Sequence, residues 1–264
     1  MTLLPEFDLT GKVVFITGAG RGIGRGIAEV LAEAGADIAI NALTTKHVEK
    51  TAAAIAEKTK RRIVPVLADV TKSGEVKAAV EKVLAEFGKI DILVNCLGDA
   101  IGIPLVKLSE QGSPEPIADE DLKKILDLNM MATILCTRAV GPHMLKKREG
   151  KIINISSYTA GHAGANVVLY SAAKAAVISF TRAQALEWAP YNICINSIAP
   201  GLFPEPMGMT EERQKRAAQW AERSIPLKRM GKLREVGYLA LYLASSASDF
   251  MTGQTIHLDG GLSL

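Results

Sequence analysis

A single α/β domain of three layers, a doubly wound parallel sheet between two helical faces, is expected from three observations. Short apolar runs alternate with amphipathic stretches of helical period along the whole chain. Glycines cluster between the first such run and the helix after it, in Thr17-Gly18-Ala19-Gly20-Arg21-Gly22-Ile23-Gly24. The length of 264 residues suits one domain of this kind and allows a sizeable core.

The elements follow in order. Residues 12–17 (Lys-Val-Val-Phe-Ile-Thr) read as a strand buried on both faces. Residues 22–34 read as a helix, and Gly35-Ala36 turns the chain into a strand at 37–41. A helix at 46–58 and a strand at 63–67 come next. The helix at 75–87 leads through Gly88-Lys89 to a strand at 91–94. One long helix is expected at 119–143, leading through Gly150 to a strand at 151–155. A helix at 169–188, a strand at 193–198, a helix at 233–244 and a strand at 254–258 complete the alternation. Two stretches interrupt it. Residues 99–118 are rich in Gly, Pro and Ser, and residues 201–227 contain Pro204, Pro206 and a charged helix at 211–223. Loops of this length in a compact domain are usually functional or mobile.

Composition excludes several function classes. Hydrophobic residues make up 48% and charged residues 22%, as in ordinary globular proteins. A net charge of +3 with no long basic run argues against nucleic acid, and aromatics at 5% leave little for base stacking. Cys96, Cys136 and Cys194 are far apart and form no Cys-x-x-Cys, so core thiols in a reducing, cytoplasmic setting are expected. His47, His143, His162 and His257 show no metal-ligand spacing. The first eight residues lack the basic and apolar regions of a signal peptide, and no segment has the roughly 18 apolar residues of a membrane span.

The chemistry centres on Tyr170 and Lys174 in Tyr170-Ser171-Ala172-Ala173-Lys174, with Ser157 thirteen residues upstream. Positions i and i+4 share a helix face. A phenol ionises near pH ~10, and a neighbouring cation favours the phenolate. The pair suits a general acid/base. Alone it is weak, since a chance Tyr-x-x-x-Lys is expected about once in three such chains. The glycine turn supplies context. Gly18, Gly22 and Gly24 follow a strand and open a helix, where backbone can approach a pyrophosphate at the helix N-terminus. The strict Gly-x-Gly-x-x-Gly spacing is absent, and tight helix–strand packing alone could explain a glycine turn, but its place after the first strand and before a helix is the context a dinucleotide site demands, which leaves packing alone at about one in five.

Together these residues resemble the short-chain dehydrogenase/reductase family over essentially the whole chain. Thr-Gly-x-x-x-Gly-x-Gly at 17–24 is similar to its cofactor loop, Asp69-Val70 to its adenine contact, and Asn95-Cys96-Leu97-Gly98 to its Asn-Asn-Ala-Gly motif. Asn129, Ser157, Tyr170 and Lys174 match its catalytic tetrad in order and spacing. Ala199-Pro200-Gly201, Ser224-Ile225-Pro226-Leu227 and Asp259-Gly260-Gly261 resemble its later signatures. The resemblance implies a Rossmann fold, a nicotinamide cofactor, a homotetramer, and a small-molecule carbonyl or alcohol as substrate. Cofactor contacts are implied at Gly18, Arg21, Gly22, Ile23, Gly24, Asp69, Val70, Asn95, Gly98, Tyr170, Lys174 and Phe203. Tyr170 would be acid in reduction and base in oxidation, Ser157 a second donor to the substrate oxygen, and Lys174 the group that lowers the Tyr170 pKa and bonds the nicotinamide ribose. Asn129 would order a water that passes the proton to Lys174.

The chain departs from the family pattern at Cys96 and Leu97, and at Glu205, which stands where a Thr is expected. The segment between Gly98 and Asn129 is longer than usual, with its excess around 112–116 at the expected rim of the substrate entrance. No acid marks the tip of the second strand, Asn41-Ala42-Leu43-Thr44-Thr45-Lys46, and Arg21, Lys46, Thr44 or Thr45 could face a 2′-phosphate. NADP(H) is favoured and NAD(H) stays open, as does Arg21 as a solvated loop charge. A 3-oxoacyl thioester is the first expectation for substrate; a sugar, polyol or other secondary alcohol is the alternative. A cofactor-binding redox sensor without turnover is a remote third.

Overall fold

The computed structural model describes residues 4–162, 164–205 and 209–264. Pro206 of the second loop, and the leading Met1-Thr2-Leu3, lie outside the described residues. The chain runs through β1 (Val13–Ile16), α1 (Gly22–Glu33), β2 (Asp37–Ala42), α2 (Thr45–Thr59), β3 (Ile63–Leu67), α3 (Ser73–Phe87) and β4 (Ile92–Asn95). A small antiparallel hairpin follows, β5 (Val106–Leu108) with β6 (Pro114–Pro116). Next come α4 (Asp119–Leu126), α5 (Ala132–Lys147), β7 (Gly150–Ile155), α6 (Val168–Trp188) and β8 (Ile193–Pro200). The chain closes with α7 (Glu211–Ser224), α8 (Leu233–Ala244) and β9 (Thr255–Leu258).

Among the described residues, seven strands form one parallel sheet in the order β3-β2-β1-β4-β7-β8-β9. The order reverses between β1 and β4, and ligands of such sheets bind beyond the strand carboxyl ends at that point. The alternation of side chains along β1 shows why its whole run is apolar. Val14 and Ile16 pack with α1, α2 and α8 on one face, while Val13 and Phe15 pack with α3 and α5 on the other. Among the described residues, no helix is long and apolar enough to cross a membrane.

Two expectations need correction. The single helix at 119–143 is two helices joined by a π-helical turn, Asp127–Met131, and the second continues to Lys147. The apolar period persists through the turn, so the sequence pattern does not register the one extra residue per turn. The stretch 99–118 is not featureless either. Its hairpin closes through Gly112, at φ 78°, with Ser109 N donating to Ser113 O at 2.8 Å. Both strands are exposed, so neither carries the buried-face alternation that marks a strand in sequence.

Candidate active site

β7 and α6 bring together the residues expected to handle the proton. Beyond Ile155 the backbone of Ser157 is extended, and its side chain is buried at 4% exposure. Ser157 Oγ accepts from Thr159 N at 3.2 Å and from Thr159 Oγ1 at 2.9 Å, which fixes its orientation. Helix α6 places Tyr170 and Lys174 one turn apart, with Nζ 5.9 Å from the phenol ring centre. Lys174 is 2% exposed and donates to Ile155 O at 2.9 Å, so the strand end anchors the ammonium.

Burial raises the Tyr170 phenol above its ordinary value of 10.0, the hydrogen bond with Ser157 pulls it back, and the Asp99 and Tyr158 charges add to the rise. The expected depression by Lys174 is therefore not what this geometry gives. The reason is that removing a phenolate from water costs more here than its neighbours return. Burial also pulls Lys174 down to about 8, against the opposing influence of Cys96. Below that value the lysine is charged.

Asn129 sits in the π-helical turn and is fully buried. Its Nδ2 donates to Asp99 O and Ile125 O, both at 3.0 Å, and its Oδ1 accepts from Asp99 N at 3.0 Å. Both amide hydrogens are thus committed to backbone, and the expected water-ordering role cannot use them. The side chain instead clamps the turn after β4 to α4. Gly98 fits between Asn129 and Lys174: a Cβ there would lie 2.9 Å from Asn129 Oδ1 and 2.7 Å from Lys174 Nζ. Asn129, Ser157, Tyr170 and Lys174 are brought together around this turn.

The glycine turn closes the site on the other side of the switch point. Gly18 (φ 64°) and Gly22 (φ 60°) adopt the left-handed conformation that favours glycine. Gly24 lets α1 approach the turn, since a Cβ there would lie 2.7 Å from Gly18 O. Arg21 is the exposed N-cap of α1 and gives it no side-chain cap. Ile23 packs half-buried against the core. Thr17 Oγ1 accepts from Cys96 N at 3.0 Å and Leu97 N at 3.2 Å, tying the two turns together. Those bonds come from backbone amides, so the Cys96 and Leu97 departures leave them intact. Desolvation pushes the Cys96 thiol up to about 12, which keeps it protonated.

The other expected cofactor residues separate into two groups. Asp69 and Val70 follow β3; Asp69 accepts from Thr71 N at 3.0 Å, shaping its turn, and Val70 is buried. The Phe203 ring packs over Gly231 and against the core. Asn95 gives its side chain to the sheet instead. Its Nδ2 donates to Asn154 Oδ1 at 2.8 Å and to Thr137 Oγ1 at 3.0 Å, and Asn154 Nδ2 donates to Thr181 Oγ1 at 2.9 Å. This buried polar ladder beneath the site was missed, as was Asn41, whose Nδ2 holds Val66 O and Ala68 O under the glycine turn. An asparagine inside an otherwise apolar strand was the available signal, because a buried amide needs partners.

One further contact had no local signal. Glu205 Oε2 accepts from Gly22 N at 2.6 Å, and its Oε1 lies 3.3 Å from Arg25 Nη2. A carboxylate of the 201–227 segment thus sits at the N-terminus of α1.

A family model described as enoyl-(acyl carrier protein) reductase matches residues 18–263. The chain is 36% identical over 254 residues to a 3-oxoacyl-(acyl-carrier-protein) reductase of Thermotoga maritima, covering 96% of this chain and 98% of the relative. It is 37% identical over 265 residues to a 2-dehydro-3-deoxy-D-gluconate 5-dehydrogenase of Dickeya dadantii, covering 98% of each. Its structure is similar to that of a gluconate 5-dehydrogenase from Burkholderia cenocepacia in complex with NADP and tartrate, with a TM-score of 0.84, 33% identity and coverage of 98% and 97%.

Proposed function

The chain belongs to the short-chain dehydrogenase/reductase family and is an oxidoreductase of the carbonyl/alcohol couple; we propose that it works as an NADPH-dependent reductase of a 3-oxoacyl-type substrate. The observation that carries the nicotinamide chemistry is the convergence of Ser157, Tyr170 and Lys174 beside a glycine turn that already holds an anion, the Glu205 carboxylate on Gly22 N, and the 3-oxoacyl substrate rests on the Thermotoga maritima relative. The turn suits a nicotinamide dinucleotide: its glycines leave no Cβ in the way, and the N-terminus of α1 favours negative charge. Gly18, Gly22, Ile23 and Gly24 would hold the diphosphate, Asp69 and Val70 the adenine end, and Lys174 the nicotinamide ribose. When bound, the nicotinamide supplies or accepts the hydride.

The residues of the chain handle the proton. Tyr170, protonated at neutral pH, gives its proton to the carbonyl oxygen in reduction and takes it back in oxidation. Ser157 holds the same oxygen as a second donor. Asn129 positions the Asp99 backbone and so the wall of the site. NADP(H) is favoured over NAD(H) because the tip of β2 offers exposed Thr44, Thr45 and Lys46 and no carboxylate, and Thr44 caps α2 without a side-chain bond. A cytoplasmic homotetramer is the assembly we propose.

Two of the named relatives support a second reading, a sugar-acid dehydrogenase with the same proton chemistry. A panel of 3-oxoacyl thioesters, keto sugar acids and polyols, run in both directions with both cofactors, decides between them by kcat/KM. In that panel Tyr170→Phe loses about 10²–10⁴-fold in kcat while cofactor binding persists. Retained turnover in this variant removes the mechanism.

A further inference from the structure

We propose that Glu205 is a built-in competitor for the cofactor diphosphate. The inference rests on the dinucleotide reading of the glycine turn. The Glu205 carboxylate receives the Gly22 amide at 2.6 Å, a charge-assisted bond at the positive pole of a twelve-residue helix. It is 15% exposed and carries a second contact to Arg25. Gly22, at φ 60°, opens α1 within the turn assigned to the diphosphate. A carboxylate and a phosphate oxygen are both hard anionic acceptors, and one backbone N–H cannot direct its hydrogen at both.

The consequence is an exchange. A diphosphate that takes the Gly22 amide displaces the Glu205 carboxylate from that helix end. The exchange also leaves the Arg25 guanidinium at the same helix end without its Glu205 partner, which adds positive charge where the diphosphate arrives. Cofactor affinity is then lower than the glycine turn alone would give. This gives a chemical role to the residue at which the chain departs from the expected Thr.

The test is a fluorescence titration of NADPH and NADH into the full chain and into Glu205→Gln and Glu205→Thr. Removing the competing charge is expected to tighten the Kd for both cofactors by about tenfold. An unchanged or weaker Kd in both variants, with melting temperatures like the unmodified protein, overturns the proposal. If the unmodified chain binds neither cofactor, the dinucleotide reading itself fails; binding without the predicted tightening sinks only the role of Glu205.

Discussion

Burial raises the Tyr170 phenol above 10.0, and the Ser157 hydrogen bond offsets part of the rise. The same burial brings Lys174 down to about 8. The signs fix a pH dependence. A raised phenol keeps its proton through neutral pH, so reduction, which consumes that proton, runs undiminished there. Oxidation needs the phenolate, so its kcat/KM rises with pH and is still rising at about pH 9. Profiles measured in both directions check this; an oxidation plateau already reached near neutral pH overturns it. Tyr170 and Lys174 were legible in sequence because helical spacing of i and i+4 is a local property. The direction of the Tyr170 shift was not legible, because it depends on the elements packed around the ring.

The proposed NADP(H) preference rests on helix ends and strand tips. Arg21 is the exposed N-cap of α1, and Lys46 stands exposed in the first turn of α2. Arg21→Ala is expected to raise the NADPH KM by about tenfold and the NADH KM much less. Equal effects on both would remove Arg21 from the 2′-phosphate site. The regular elements were readable to within a few residues at their ends, since the central strands β1, β2, β4, β7 and β8 are largely buried and apolar. The breaks within elements were not. The π-helical turn that buries Asn129 adds one residue to a turn without disturbing the apolar pattern. The β5–β6 hairpin is exposed on both strands, so burial left no imprint on its sequence.

The sheet is held together beneath the site by polar contacts that cross it. Asn154, fully buried on β7, accepts from Asn95 on β4 and donates to Thr181 on α6. Asn154→Ala leaves both partners buried without it and is expected to cost about 1–3 kcal/mol of stability, read by denaturant unfolding. A loss within a few tenths would show that the ladder is dispensable. The sequence settled the layered α/β architecture and the position of the glycine turn, and it set the order of Asn129, Ser157, Tyr170 and Lys174 on which the proposed proton chemistry rests. Each of these is written in the spacing of neighbours along the chain, where side-chain period and backbone geometry set the outcome. The tertiary structure decided what Asn95 and Asn129 bond to, which way burial moves Tyr170, and that Glu205 reaches Gly22 across 183 positions. Such contacts depend on where distant segments meet in the folded chain, and no local period records that meeting.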